Sequence, residues 1–175
     1  METERLVIRR FCIDDWCDLY DYLSQEETVK YEPYEVFTEE ESKNEAKKRS
    51  EDNSFWAVCL KPSGKLIGNI YLAEQAFNTW ELGYVFNAYF LGSGYATEAA
   101  HALIDYSFKE KNAHRIVAQC NPLNEKSWRL LERLGMRREG VLLRNIYFRR
   151  SAQGFPIWQD TYEYAILCAE WNKFK

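Results

Sequence analysis

The sequence contains no Cys-x-x-Cys and no paired cysteine and histidine spacing, so its five cysteines do not make the ligand set of a zinc module. Four of the five, Cys12, Cys17, Cys59, Cys120 and Cys168, lie in apolar stretches, which predicts buried free thiols in a reducing compartment. No apolar run approaches the roughly 20 residues of a membrane-spanning helix, and the opening METERLVIRR is too charged for a secretory signal. A cytoplasmic location with no membrane partner is the expectation. There is also no excess of positive charge: the formal net charge is -4, against the basic stripe that a nucleic-acid partner demands. A mildly acidic surface favours cationic or amine substrates instead. No internal repeat, low-complexity tract or linker divides the chain, so residues 1–175 are expected to form one domain.

What is present is a series of well-punctuated elements. Arg5 to Phe11 alternates like a strand, and Asp14 to Leu23 puts Trp16, Leu19, Tyr20 and Leu23 at helical spacing. Thr38 with Glu41 three residues on is a capping box for a polar helix to about Glu51, whose run Glu39-Glu40-Glu41 is a solvated first turn suited to the helix dipole. Ser54 to Leu60 and Lys65 to Ala73 read as strands joined by the turn 61–64, followed by a strand from Thr79 to Phe86. Ala96, Ala100, Ile104 and Phe108 recur every four residues, as on the packed face of a helix. Arg115 to Cys120 is a strand, Glu125 to Leu134 a helix that Gly135 ends, and Arg138 to Phe148 and Ile157 to Ala169 are two long strands around the turn Ser151 to Phe155. This order predicts an α/β fold, a mixed but mostly antiparallel sheet of about seven strands flanked by four helices. The aromatic end of the last strand, Tyr162 to Trp171, suits either internal pairing or pairing across a dimer, and both monomer and homodimer stay open.

The most informative segment is TWELGYVFNAYFLGSGYATE, residues 79–98. An alternating strand runs into a glycine turn and then a helix of small residues. Gly92 and Gly94 allow close backbone approach, and the amides of Ser93 to Thr97 are the open donors of a new helix, with its positive dipole end behind them. That is an anion site suited to a diphosphate. It is not a P-loop, since Ala96-Thr97-Glu98 stands where Lys-Ser or Lys-Thr is required. Nor is it a dinucleotide fingerprint, which needs a third glycine and repeated parallel βαβ units.

Leu91-Gly92-Ser93-Gly94-Tyr95-Ala96 resembles the Q/R-x-x-G-x-G/A acetyl-coenzyme A signature of the GNAT acetyltransferases, with Leu91 in place of the polar first residue. GSGYATEA, His114 to Ala118, the run from Asn121 to Ser127, Leu131 to Met136 and Trp158-Gln159-Asp160 are similar, in order and spacing, to the branch containing ribosomal-protein N-terminal acetyltransferases. The resemblance covers nearly the whole chain. It implies a GNAT fold and an acetyl-CoA-dependent N-acetyltransferase working by direct attack of an amine in a ternary complex.

By the same resemblance, Gly92, Ser93, Gly94, Tyr95, Ala96 and Thr97 hold the pyrophosphate, and the strand edge at Val85 and Phe86 pairs with the pantetheine, an amide near Phe86 polarising the thioester carbonyl. Asn121 and Asn124 are further coenzyme contacts. Glu81 is the candidate general base, against an exposed place on the polar face of its strand. Ser127 is the candidate proton donor to the thiolate, against a helix cap or a water in its stead. Tyr31 and Tyr34 are candidate acceptor contacts. His101 and His114 fall where the resemblance puts no chemistry, and most of the other tryptophans and tyrosines alternate on strands and read as core. No metal is implied, and Cys120 is assigned to packing. The acceptor is a protein N-terminus such as that of a ribosomal protein, or a small amine such as a polyamine or amine antibiotic. A non-catalytic acetyl-CoA sensor is the remaining alternative.

Overall fold

The structure, a computed structural model, describes residues 1–174. It begins with β1 (Leu6–Arg9), α1 (Trp16–Leu23), α2 (Glu26–Val29) and α3 (Glu39–Glu51), and continues through β2 (Phe55–Leu60), β3 (Leu66–Glu74) and β4 (Thr79–Phe86). The second half comprises α4 (Tyr95–Glu110), β5 (Arg115–Cys120), α5 (Glu125–Arg133), β6 (Arg137–Ile146), β7 (Gln159–Leu167) and α6 (Cys168–Phe174). The seven strands form one sheet in the order β1-β2-β3-β4-β5-β7-β6. Only β4 and β5 run parallel; every other neighbouring pair is antiparallel. The expected mixed, mostly antiparallel sheet is therefore observed.

Each face of the sheet carries its own apolar layer. On one, Ala99, Ala100, Leu103, Ile104 and Phe108 of α4 join Leu130 and Leu131 of α5 over Leu6, Ile8, Val58, Ile70, Leu82 and Ile116. The small residues at Ala99 and Ala100 let α4 lie close to the strands. On the other face, Leu19, Tyr22 and Leu23 of α1 and Ala46 of α3 cover Ala57, Cys59, Leu66 and Val85. Truncating one such fully buried leucine to alanine costs about 2–5 kcal/mol, which is why these positions tolerate only apolar side chains.

The expected capping box opens α3. Thr38 Oγ1 accepts from the Glu41 amide at 3.3 Å, and the Glu41 carboxylate accepts from the Thr38 amide at 2.8 Å.

Two expectations need correction. Among the described residues there are six helices rather than four, because the single turn α2 is added and the last strand stops early and gives way to α6. Glu170 accepts a hydrogen bond from the Leu167 amide at 2.8 Å, the carboxylate half of a capping box, and so turns the chain into α6. There Trp171 is buried beside His101 and Phe108 of α4. Second, Cys59 and Cys120 are buried, but Cys12 and Cys17 are exposed, since they occupy the turn before α1 and its outer face. Of the two pairings open to the last strand, the internal one is observed: β7 lies between β5 and β6, which leaves β6 at one edge of the sheet.

Candidate active site

The parallel ladder between β4 and β5 is short. It joins Thr79 to Arg115, Trp80 to Ile116 and Glu81 to Val117, and goes no further. Beyond it the strands part: β4 keeps β3 as its partner through Phe86, and β5 keeps β7 through Cys120. From Leu82 onward β4 therefore has a free edge facing β5. The parting opens a cleft of about 400 Å³ lined by Leu82 to Phe86 on one strand and Gln119 to Asn121 on the other. Its floor and rim come from α5, the β6–β7 pair and the stretch between α2 and α3.

The glycine loop stands at one end of this cleft, where Ala88, Leu91 and Ala96 line it. Gly94 is the N-cap of α4 at φ 81°, ψ 1°, with no side chain bonded to the helix end. That left-handed conformation costs any residue with a Cβ about 1–2 kcal/mol. Gly92 also has positive φ, 82°, and a Cβ there would meet open space. The uncapped amides of the first turn of α4 are thus presented to solvent, with Gly92, Ser93 and Gly94 exposed at the rim and Thr97 half-buried in the turn. Arg5 fastens this end to β1. Its Nε donates to Glu98 at 2.7 Å, its Nη1 donates to the Ser93 carbonyl at 2.9 Å, and its guanidinium lies 4.5 Å from the Tyr95 ring centroid. The sequence reading missed Arg5, which adds a cation beside an anion site.

At the far side, Asn124 rather than Ser127 caps α5: its Oδ1 accepts from the Ser127 amide at 3.2 Å. This leaves the Ser127 hydroxyl in the cleft, where its Oγ lies 2.9 Å from the Tyr84 hydroxyl. The Tyr84 hydroxyl also lies 3.0 Å from the Ser127 carbonyl oxygen, to which it can donate. Burial pushes the Tyr84 phenol well above its ordinary range, so it stays protonated and available as a donor. In sequence, its alternating place on the strand marks it as core. Cys120, on the same wall, is pushed up to about 11 by burial, and a neutral thiol is a poor nucleophile at physiological pH.

The remaining expected residues divide. Val85 and Phe86 are buried in the cleft wall, and Asn121 and Asn124 line it. Asn121 is already engaged: its Nδ2 donates to Gln159 at 2.9 Å and its Oδ1 accepts from the Leu123 amide at 2.9 Å. Tyr31 lines the cleft and donates from its hydroxyl to the Leu123 carbonyl at 3.1 Å, tying the α2–α3 stretch to the entry of α5. Tyr34 does not line it. Its ring packs edge-on to Phe37 with centroids 5.2 Å apart, within the layer under α1 and α3. Glu81 is not brought to the cleft either, because it occupies the last paired position of the β4–β5 ladder, one residue before the strands part. Its carboxylate accepts from Gln75 Nε2 at 3.1 Å.

A different carboxylate occupies the cleft. Glu32 lines it from the α2–α3 stretch, half-buried, and desolvation pushes its carboxyl up to about 7, with Arg49 pulling the other way. The signal in sequence was slight: an acid between two tyrosines, one residue before Pro33. Taken together, the cleft offers a free strand edge, an anion-binding helix end, a protonated hydroxyl pair and a carboxylate poised near neutrality. His101 and His114 lie outside it.

Comparison with known proteins bears on the family and the fold. A family model described as an acetyltransferase (GNAT) domain matches residues 5–137. An uncharacterized N-acetyltransferase, YnaD, of Bacillus subtilis (strain 168) is 43% identical over 175 residues, spanning 97% of this chain and 98% of that protein. The [ribosomal protein uS5]-alanine N-acetyltransferase of Escherichia coli (strain K12) is 28% identical, spanning 98% and 92%. Among solved structures, an acetyltransferase (GNAT family) from Bacillus anthracis superposes with a TM-score of 0.88 at 40% identity, covering 97% of this chain and 99% of that one. A spermidine N-acetyltransferase from Vibrio cholerae in complex with CoA and spermine shares the fold, with a TM-score of 0.79 at 21% identity and coverage of 97% and 99%.

Proposed function

Since the chain belongs to the GNAT acetyltransferase family and is an N-acetyltransferase, we propose that it moves an acetyl group from acetyl-CoA to a primary amine bound in the cleft between β4 and β5. The parting of those strands beside an uncapped glycine-led helix is the observation that carries this reading. A diphosphate finds the first-turn amides of α4 together with the Arg5 cation, and Gly92 leaves room for it. An extended amide-bearing arm finds the free edge of β4 from Leu82 to Phe86, where it adds as a strand would. Acetyl-CoA offers both a diphosphate and such an arm, and when bound supplies the thioester.

This chain's own groups then serve four needs. The backbone amides at Gly92 to Thr97 hold the anion, and the Asn124 Nδ2 is available to the arm. The free edge near Phe86 offers an amide to the carbonyl oxygen on which negative charge develops. The Tyr84 and Ser127 hydroxyls, in contact with one another, supply a proton to the leaving sulfur. The neutral Cys120 and the absence of any other cysteine among the cleft-lining residues favour direct transfer over a thioester on the enzyme.

The acceptor side of the cleft carries Glu27, Glu32, Glu125 and Asp160 against one lysine, Lys126. That balance suits an amine bearing positive charge. A peptide N-terminus, of the kind named in the ribosomal-protein relative, is the first reading; a polyamine is the second, favoured by the same carboxylates. The test is a panel of ribosomal-protein N-terminal peptides, spermidine and an aminoglycoside incubated with acetyl-CoA, read by thiol release and by acetyl adducts in mass spectrometry. Turnover of peptides over small amines is the expected result, turnover of spermidine alone moves the acceptor to the polyamine class, and acetyl-CoA binding without any turnover reduces the chain to a sensor.

A further inference from the structure

We propose that the Glu32 carboxylate, not that of Glu81, takes the proton from the acceptor amine, which makes the α2–α3 stretch the catalytic wall of the cleft opposite the Tyr84–Ser127 hydroxyl pair. The inference rests on the transferase reading above. Glu32 lines the cleft, and Glu81 does not. No hydrogen bond or ion pair holds the Glu32 carboxylate among the described residues, whereas the Glu81 carboxylate accepts from Gln75. A half-buried carboxylate left without a donor is costly unless a ligand partners it, and an ammonium group supplies the partner this one lacks.

The groups that face Glu32 explain its readiness to accept a proton. Arg49, reaching across from α3, is the cation that opposes the desolvation. Arg49 is itself engaged, donating to Glu45 at 2.7 Å and to Asn69 at 2.9 Å. Tyr34 of the same stretch and Tyr84 of β4 are neutral phenols held protonated by burial, and both feel the Glu32 charge. Around the rim stand Glu27 of α2, Glu125 and Lys126 of α5, and Asp160 of β7. Lys126 is drawn to Glu27 at 3.4 Å. Burial therefore dominates, and a carboxyl near 7 is matched to abstracting a proton at physiological pH.

The proton and bond balance is complete. The acceptor ammonium gives one proton to Glu32, which returns it to water. The freed nitrogen forms its bond to the acetyl carbonyl carbon as the carbon–sulfur bond breaks. Its second surplus proton leaves by way of the Tyr84 and Ser127 hydroxyls to the thiolate. One amide, one thiol and one released proton result.

The experiment compares wild type, Glu32→Gln and Glu81→Gln with the best amine of the panel. It measures kcat and kcat/KM against pH, with acetyl-CoA affinity by calorimetry in each variant. Wild-type kcat/KM is expected to rise with pH through about 7. Glu32→Gln should lose that limb and about 10²–10³-fold in kcat while binding acetyl-CoA normally, and Glu81→Gln should keep both limb and rate. A readout free of turnover is carbon-detected NMR of glutamate-labelled protein, in which the resonance absent from Glu32→Gln should titrate near 7. An unchanged pH profile in Glu32→Gln, a rise confined to KM, or a resonance titrating in the ordinary carboxylate range would each overturn the assignment of Glu32 alone. Failure of the wild type to bind acetyl-CoA would instead bring down the transferase reading.

Discussion

One wall of the cleft is made of backbone and the other of side chains. The Gly92–Thr97 loop and the free edge of β4 offer amides whose positions follow from two left-handed glycines and a strand that has lost its neighbour. Across from them, Tyr31, Glu32 and Pro33 owe their place to contacts far away in sequence: Tyr31 to the Leu123 carbonyl, and Arg149 of the β6–β7 connection to Glu35 at 3.0 Å. A backbone wall reads any ligand with the same diphosphate and amides. A side-chain wall can be rebuilt residue by residue without disturbing it. The division of labour between coenzyme and acceptor thus has a physical basis in how each wall is held.

The comparison breaks most severely at Arg49, whose buried side chain bonds Asn69 and Glu45 beneath the acceptor wall. Arg49→Ala should destabilise by about 3–5 kcal/mol, since it strands hydrogen-bonding groups in the interior. Urea unfolding measures this, and a loss below about 1 kcal/mol would mean the network under that wall carries little. Tyr84→Phe sharpens the comparison from the opposite side. It should lower kcat roughly 10- to 100-fold with KM for acetyl-CoA unchanged, a barrier increase of about 1.4–2.7 kcal/mol. Ser127→Ala should cost less, and steady-state kinetics in which Ser127→Ala alone is crippled would reverse the order of the relay.

The pH dependence of stability follows from Glu32. Its carboxyl is raised in the folded protein from the ordinary 4.5 to about 7, so the native state disfavours the charged form. The penalty is absent below the unfolded value, grows as pH rises from the unfolded value to the folded one, and is complete above it. Glu32→Gln should therefore match wild type near pH 4 and be more stable by about 1–3 kcal/mol near pH 8. Thermal melts across that range check the sign, and a gain that shrinks with rising pH would contradict it. The smallest effect is expected at the entry to α3. Thr38→Ala removes one side of the capping box and should cost about 1 kcal/mol in denaturant unfolding, with acetyl-CoA affinity untouched.

This division also explains what was legible in the sequence. The strand from Thr79 to Phe86, the glycine loop and the capping box at Thr38 follow from local alternation, turn chemistry and capping, and all three stand as the sequence indicates. Ser127 and Asn124 were legible as a pair, but which of them caps α5 depends on the rotamer the fold selects. Glu32 and Glu81 were not separable by pattern. Both are acids beside aromatic residues; the point at which β4 leaves β5 keeps Glu81 out of the cleft, and the bond from Tyr31 to the Leu123 carbonyl holds the stretch that carries Glu32 against it. Tyr84 looked like core because alternation reports burial and not the hydroxyl waiting on α5. Trp171 was placed in a strand because its stretch is apolar, whereas Glu170 ends that strand three residues earlier.

The most direct test is calorimetric titration of acetyl-CoA into three proteins shown to be folded: wild type, Gly94→Trp and Glu32→Gln. Micromolar binding is expected to wild type and to Glu32→Gln, and none to Gly94→Trp, whose side chain occupies the loop and strains a backbone at φ 81°. Equal affinity in Gly94→Trp, or no binding to wild type, would contradict that expectation.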